Sequence, residues 1–507
     1  MSVLKKLASE TALYGLSSIV GRFINYLLVP LHTWIFGRPS DLSPTVDLLA
    51  WVAVMNIVYT FGLETGFFRY ASKTGEIQKF YNQTLTTVIV LAACISFSIV
   101  MGAPLIAQLL DYPDKAHIVA WLAAIMFIDA VVAIPFARLR LEKKAKRFVY
   151  VKIVNILLTV VLNVFFLVFC KGIYDGLFWP QYKHIIAHIY RPDWSVEYIF
   201  IANLIANASF IFLLRKQFLD FRFQFDKKLF VELWHYSLPI MVLGLIGTMN
   251  AMTDRLFLKQ LLPANFYPNR LSADALGIYG QCYKLSMLMM LAVQSFKFAA
   301  DPFFFSNASD KNAPALLALV MKWFVIVCVI LWLLVSLNND LIGFLFLQNK
   351  IYREGLYVVP ILSLANLFLG IYYNLAFWFK LTDKTNYGIL TSGVGVVLTV
   401  VLNIVLIPRM GYLGCAWAFL VSSVAMCVVC YLLGERHYAV PYNLRSAAGY
   451  ILTAALLIYL SSLIKINNLG ISVVYHSVLC LLYFGGIIIV ERKAIPLKIR
   501  QKIKILH

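Results

Sequence analysis

Apolar residues in this chain come in long blocks separated by short polar segments. They do not form the one-sided stripes of a water-soluble helix. Fourteen such blocks can be read, at 11–36, 45–68, 82–110, 117–137, 148–170, 199–214, 232–258, 275–297, 314–337, 356–380, 385–407, 411–434, 446–464 and 471–490. About 20 apolar residues in a helix cross the hydrocarbon core of a bilayer. Backbone polar groups there must be satisfied within the segment, which selects helices. The pattern therefore predicts an all-α polytopic membrane protein of about 14 transmembrane helices, with both termini on one side.

Composition agrees with that reading. Of the 507 residues, 61% are hydrophobic and 13% are charged, and mean hydropathy is +0.80. Soluble domains have about 45–50% apolar and about 25% charged residues. The net charge of +20 is explained by topology, with no nucleic acid. By this span plan 28 Lys and Arg fall on the side of the termini and 11 on the other. The positive-inside rule then puts both termini in the cytoplasm. The densest basic loop, "RLRLEKKAKR" (138–147), and the tail "IPLKIRQKIKIL" (495–506) read as segments lying against anionic headgroups of membrane lipids.

Catalytic and metal signatures are sparse. No P-loop pattern is present, no paired-Asp loop suits a divalent cation, and no cofactor motif stands out. Cys427 and Cys430 have redox or zinc spacing but lie mid-helix without a second ligand pair, so packing is the simpler account. His184 and His188 lack a third ligand, and Trp179, Tyr182, Tyr190 and Trp194 around them read as an interfacial aromatic belt. Neither an enzyme nor a metal site is expected.

Ionisable residues at bilayer depth cost several kcal/mol and usually face a polar cavity or a partner. Arg22 lies near the middle of the first span, with Ser18 and Asn25 on the same face. It either lines a cavity or meets a buried partner such as Asp129, the central acid of the fourth span. For Asp129, structural pairing and ion coupling stand level. Glu64 and Arg69 close the second span, where end-anchoring competes with a site role. Lys284 is in the eighth span, while Lys152 and Lys322 lie close enough to span ends to snorkel. Asp254 and Arg255 adjoin in the seventh span and point about 100° apart. One reading has Asp254 fixing packing while Arg255 faces the site; the other makes the pair an end anchor. Cations outnumber acids in spans one, two, seven and eight. A cationic cavity suits an anionic group such as a diphosphate, which Arg can grip bidentately.

Tyr14 opens span one in "YGLSSIVGRF" and Tyr236 opens span seven in "YSLPIMVLGL". The correspondence suggests two pseudo-symmetric six-helix lobes with a site between them. The expected divisions are 1–228 (TM1–6 and a cytoplasmic linker), 229–437 (TM7–12) and 438–507 (TM13–14 and a basic tail).

"HYSLPIMVLGLIGTMNAMTDRLFL" followed by "LGIYGQCYKLSMLMMLAVQSFKFAADPFFF" resembles the core of the oligosaccharidyl-lipid flippases, which export polysaccharide repeat units. They share a superfamily with the lipid II flippases and the MATE multidrug exporters. Pro239, the Asp254-Arg255 pair, Gly277-Ile278-Tyr279, Ala300 and Pro302, "YVVPIL" (357–362) and "GLSSIVGRFINYLLVPL" carry the likeness. It implies a two-lobed carrier in the bacterial inner membrane. Such a carrier moves an undecaprenyl-diphosphate-linked oligosaccharide for polysaccharide or lipopolysaccharide synthesis by alternating access. A proton or sodium gradient, or the membrane potential, would reset it. Arg22, Asn25, Arg255 and Lys284 would line the cavity, and Asp129, Asp254 and Glu64 would serve ion coupling or structural pairing. A polysaccharide polymerase and other export machinery are the implied partners. A lipid II flippase, a cation-coupled drug exporter and a polytopic glycosyltransferase are the competing readings.

Overall fold

The computed structural model describes residues 21–492 except Arg22, Asn25, 307–311, Asp383, Thr385, Lys465 and Asn467, and also leaves out the side chains of Phe298, Ala299, Asp301, Pro302, Phe303, Phe305 and Ser306. Among the described residues the architecture is helical, and twelve helices are long and apolar enough to cross a membrane. The expected count of fourteen differs at two places. The first expected span begins before the described residues, within which its later part includes α1 (Leu28–Ile35). The sixth is α8 (Glu197–Leu213), 17 residues long and apolar, shorter than any of the twelve.

The other elements follow the apolar blocks closely. They are α2 (Pro39–Thr60), α3 (Leu63–Thr74), α4 (Ile77–Met101), α5 (Ala103–Leu109), α6 (Ala116–Leu141) and α7 (Ala145–Val164). After α8 come α9 (Lys227–Leu261), α10 (Ser272–Ser306), α11 (Ala313–Leu337), α12 (Val358–Leu375), α13 (Asn386–Met410), α14 (Tyr412–His437), α15 (Leu444–Ser462) and α16 (Leu469–Glu491). α4 packs on α6, and α8 on α6 and α7; α12 and α13 both pack on α14. α9 and α10 lie against α2, joining the N-terminal half of the chain to the C-terminal half.

Local chemistry explains several boundaries. Phe61 and Gly62 have left-handed backbones (φ 48° and 67°) and separate α2 from α3. A Cβ on Gly62 would stand 2.6 Å from the Ser237 carbonyl oxygen of α9, so both conformation and space exclude a side chain. Residues 221–226, just before α9, are not helical, and three of their backbone N–H groups are satisfied by polar side chains of α4. Asn82 Oδ1 accepts the Arg222 N–H, Thr86 Oγ1 that of Gln224 and Gln83 Oε1 that of Asp226. Asp226 in turn caps α9 by accepting the Lys228 and Leu229 N–H groups.

Two lysines expected to snorkel do something else. The Lys322 ammonium donates to Glu491 at 2.5 Å, and the Tyr450 hydroxyl donates to the same carboxylate at 2.6 Å. This polar cluster joins α11, α15 and α16 and docks the last two helices. Lys152 stands over the Phe136 and Phe210 rings at 4.4 and 5.4 Å, where ring quadrupoles offset part of its desolvation.

At the end of the bundle opposite the basic loops, the two halves are joined by direct contacts. Ser40 N–H donates to Asp274 at 2.9 Å, and the Tyr352 hydroxyl donates to the Phe36 carbonyl at 2.9 Å. A Cβ on Gly277 would overlap the Pro39 carbonyl, so glycine permits this close approach of α10 to α2. Gly277→Val is expected to push the helices apart and lower the melting temperature of purified protein. A melting curve identical to wild type would contradict that packing role.

Candidate functional site

α9 and α10 are each 35 residues long, about 50 Å at 1.5 Å per residue and well beyond a bilayer core of about 30 Å. They run as neighbours joined by the loop 262–271. The Asp254-Arg255 pair meets α10 across this hairpin. The Tyr279 hydroxyl donates to Asp254 Oδ2, while Asp254 Oδ1 accepts the Arg255 N–H at 2.9 Å. One turn further along α10, the Tyr283 ring lies beneath the Arg255 guanidinium, 3.7 Å from centroid to Cζ. Residues four apart on a helix share a face. Two tyrosines therefore receive two side chains that leave α9 in different directions.

The carboxylate still bridges back to its neighbour, with Arg255 Nε 3.7 Å from Asp254 Oδ1. The Asp254 side chain is 6% exposed and that of Arg255 14%. Arg255 Nε makes no hydrogen bond, and its Nη2 donates to the Ala251 carbonyl at 3.3 Å. The guanidinium is thus neutralised and stacked, yet keeps unused donor capacity.

Lys284 follows Tyr283 immediately. Its ammonium donates to Gln281 Oε1 at 3.2 Å. Arg255 and the buried His32 of α1 both interact electrostatically with it. His32 Nε2 lies 3.1 Å from Asn163 Oδ1 on α7. The structure thus brings Arg255 and Lys284 to one locality, together with an imidazole contributed by the N-terminal half. The polar face of α9 continues one turn back, where Asn250 accepts the Thr399 hydroxyl at 2.6 Å.

The remaining candidates lie elsewhere. Asp129 accepts the Asn207 amide at 3.0 Å, and Asn155 donates to Asn207 in turn at 3.2 Å. This ladder runs across α6, α8 and α7, away from the α9–α10 hairpin. Glu64 is paired with Arg140, each side chain being 37% exposed. Arg69 lies over the Tyr236 ring at 4.2 Å. Arg22 and Asn25 fall outside the described residues. Sequence reasoning gave no site role to His32, Tyr279 or Tyr283. The tyrosines had a readable signal, a four-residue spacing in the polar start of span eight beside Gln281 and Lys284. A lone His in "PLHTW" had none.

Residues 39–181 match the model of a family described as polysaccharide biosynthesis protein. Among curated proteins no match is found. Solved structures align over nearly the whole chain. The lipid II flippase MurJ in an inward closed conformation superposes with a TM-score of 0.71 at 14% identity, over 96% of this chain and 100% of that one. The chain has the lipid II flippase and MATE fold. An inward-facing multidrug resistance MATE family transporter of the MOP superfamily gives 0.61 at 11% identity, over 88% and 96%. The eukaryotic MATE transporter AtDTX14 gives 0.54 at 14% identity, over 89% and 98%. On this shared fold, the helices that carry Arg255 and Lys284 meet α2 of the N-terminal half, with Leu256 clustered with Ala50 and Val54 and Gly280 set against Val46.

Proposed function

We propose that this protein is a flippase that carries undecaprenyl-diphosphate-linked oligosaccharide units across the bacterial inner membrane by alternating access. The observation that carries this reading is the partly buried cationic locality of Arg255 and Lys284, on the two helices that join the C-terminal half to the N-terminal half. Two cations and a polarisable imidazole suit a diphosphate, and they do not suit the organic cations of a drug exporter. The match of 39–181 to a polysaccharide biosynthesis family supports a glycan as cargo, and the lipid II flippase fold supports a lipid-linked one.

In the proposed mechanism the lobes 1–228 and 229–437 rock against each other while 438–507 docks beside them. Both termini face the cytoplasm, and the end opposite the basic loops faces outward. Arg255 and Lys284, with Arg22 and Asn25 added from span one, hold the diphosphate-sugar head while the polyprenyl tail stays in lipid. The guanidinium supplies paired donors and the ammonium a point charge. Asp254 holds Arg255 between visits of the substrate. A polysaccharide polymerase and other export machinery take the product on the outer side.

Expression in two hosts tests this reading. In a strain lacking its own polysaccharide flippase the chain is expected to restore surface glycan, and in a drug-hypersensitive host it is expected to leave drug sensitivity unchanged. Drug resistance without glycan export would favour the MATE-type reading instead.

A further inference from the structure

Asp129, Glu64 and Asp254 each have a polar partner in place. A different carboxylate is only partly matched. Asp47, on the third turn of α2, is 3% exposed, and its Oδ1 makes no hydrogen bond. It faces a socket that joins the two halves at the end opposite the basic loops. Lys259 of α9 enters that socket with its side chain 9% exposed. Its ammonium donates to the Leu110 carbonyl at 2.8 Å and stands 3.7 Å from the centroid of the Tyr112 ring. Asp111 Oδ2 is 3.6 Å from the same ammonium but is itself 74% exposed.

The other groups that could address Asp47 are few. The Tyr112 hydroxyl lies beside it and is 3.1 Å from Ser43 Oγ. On α10, Asp274 already accepts the Ser40 and Leu271 N–H groups, and Tyr279 is bonded to Asp254. At the start of α6, Lys115 and His117 are turned to Glu197. Ser43 and Asp47 lie one turn apart on α2, both beside the Tyr112 hydroxyl, and the ring of that tyrosine carries Lys259. Asp47 thus acts on Lys259 as a buried counter-charge across Tyr112, and Asp111 supplies an exposed, solvent-screened one.

We propose that Asp47 is a proton-binding site that controls opening of this end of the carrier. Ionised, it holds Lys259 in the Leu110–Tyr112 socket and keeps the halves joined. A proton taken from the outer solution forms the carboxyl O–H bond and removes that counter-charge. Lys259 then withdraws to water, and the end opens. The inference rests on the alternating-access reading above and supplies its coupling ion, a proton.

Distance measurement on the full-length purified protein tests it without any glycan, so a wrong cargo assignment would leave the result unchanged. Spin labels are placed at Asp114 and Ala264, two exposed positions on opposite sides of the socket, with the exposed Cys94 replaced by Ser. As pH falls, wild type is expected to shift from a shorter to a longer inter-label distance. The ratio of the two populations should change by up to about tenfold per pH unit, the limit for one proton. Asp47→Asn should show the longer distance at every pH, Asp47→Glu should keep a pH response, and Lys259→Met should open without one. A wild-type distance distribution independent of pH would overturn the proposal. So would an Asp47→Asn variant that stays closed while Lys259→Met opens. If Asp47→Asn does not survive purification, the wild-type titration and Asp47→Glu still decide.

Discussion

Asp254→Ala is expected to destabilise the folded protein by about 3–5 kcal/mol, the cost of removing one partner from a buried charge pair. The loss exceeds that of an ordinary salt bridge because the carboxylate has two dependants. Without it the Tyr279 hydroxyl has no acceptor and the Arg255 guanidinium no counter-charge; Tyr279 is buried and Arg255 is largely so. Membrane yield and melting temperature should fall together. Asp254→Asn should recover part of the loss, since its amide oxygen can still accept from Tyr279. The exposed Glu64–Arg140 pair gives a scale for comparison. At 37% exposure on each side, Glu64→Gln should cost no more than about 1 kcal/mol. A Glu64 variant as unstable as Asp254→Ala would show that burial is the wrong criterion.

Lys284→Gln is expected to behave in the opposite way, with normal yield and poor export. Among the described residues its hydrogen-bond partner is Gln281, and the ionisable groups interacting with it are Arg255 and His32. No described carboxylate depends on it, so neutralising it strands no buried charge. One charge-assisted hydrogen bond to the substrate contributes about 1.5–3 kcal/mol, which corresponds to a loss of about 10- to 100-fold in export. The assay is surface glycan in the complemented null strain, normalised to protein level. Unimpaired export at normal expression would remove Lys284 from the site.

These two outcomes separate what could be read along the chain from what could not. Span positions were legible because hydrocarbon imposes a length and a composition on every crossing helix. The edges of α13, α15 and α16 lie within a few residues of the blocks at 385–407, 446–464 and 471–490. The block at 199–214 forms a helix of 17 residues, shorter than the twelve long apolar helices. Partners of charged residues were not legible, because a partner is set by the packing of distant helices. Lys322 near a helix end looks like a snorkeller until Glu491, 169 residues later, is seen beside it. Asp47 carries no signal of its own along the chain, since Lys259 and Tyr112 come beside it only through the fold. The Asp254-Arg255 pair was visible as an oddity, but its dependence on Tyr279 and Tyr283 needed the register of α9 against α10.

Reconstitution tests the central claim most directly. Purified protein is placed in vesicles with a fluorescent undecaprenyl-diphosphate-linked oligosaccharide, and the fraction of glycan open to a membrane-impermeant glycosidase is followed in time. Wild type should expose the inner-leaflet glycan much faster than protein-free vesicles, and Arg255→Ala combined with Lys284→Gln should return the rate to the protein-free level. Exposure no faster than in protein-free vesicles, or a doubly neutralised variant as fast as wild type, would contradict the account.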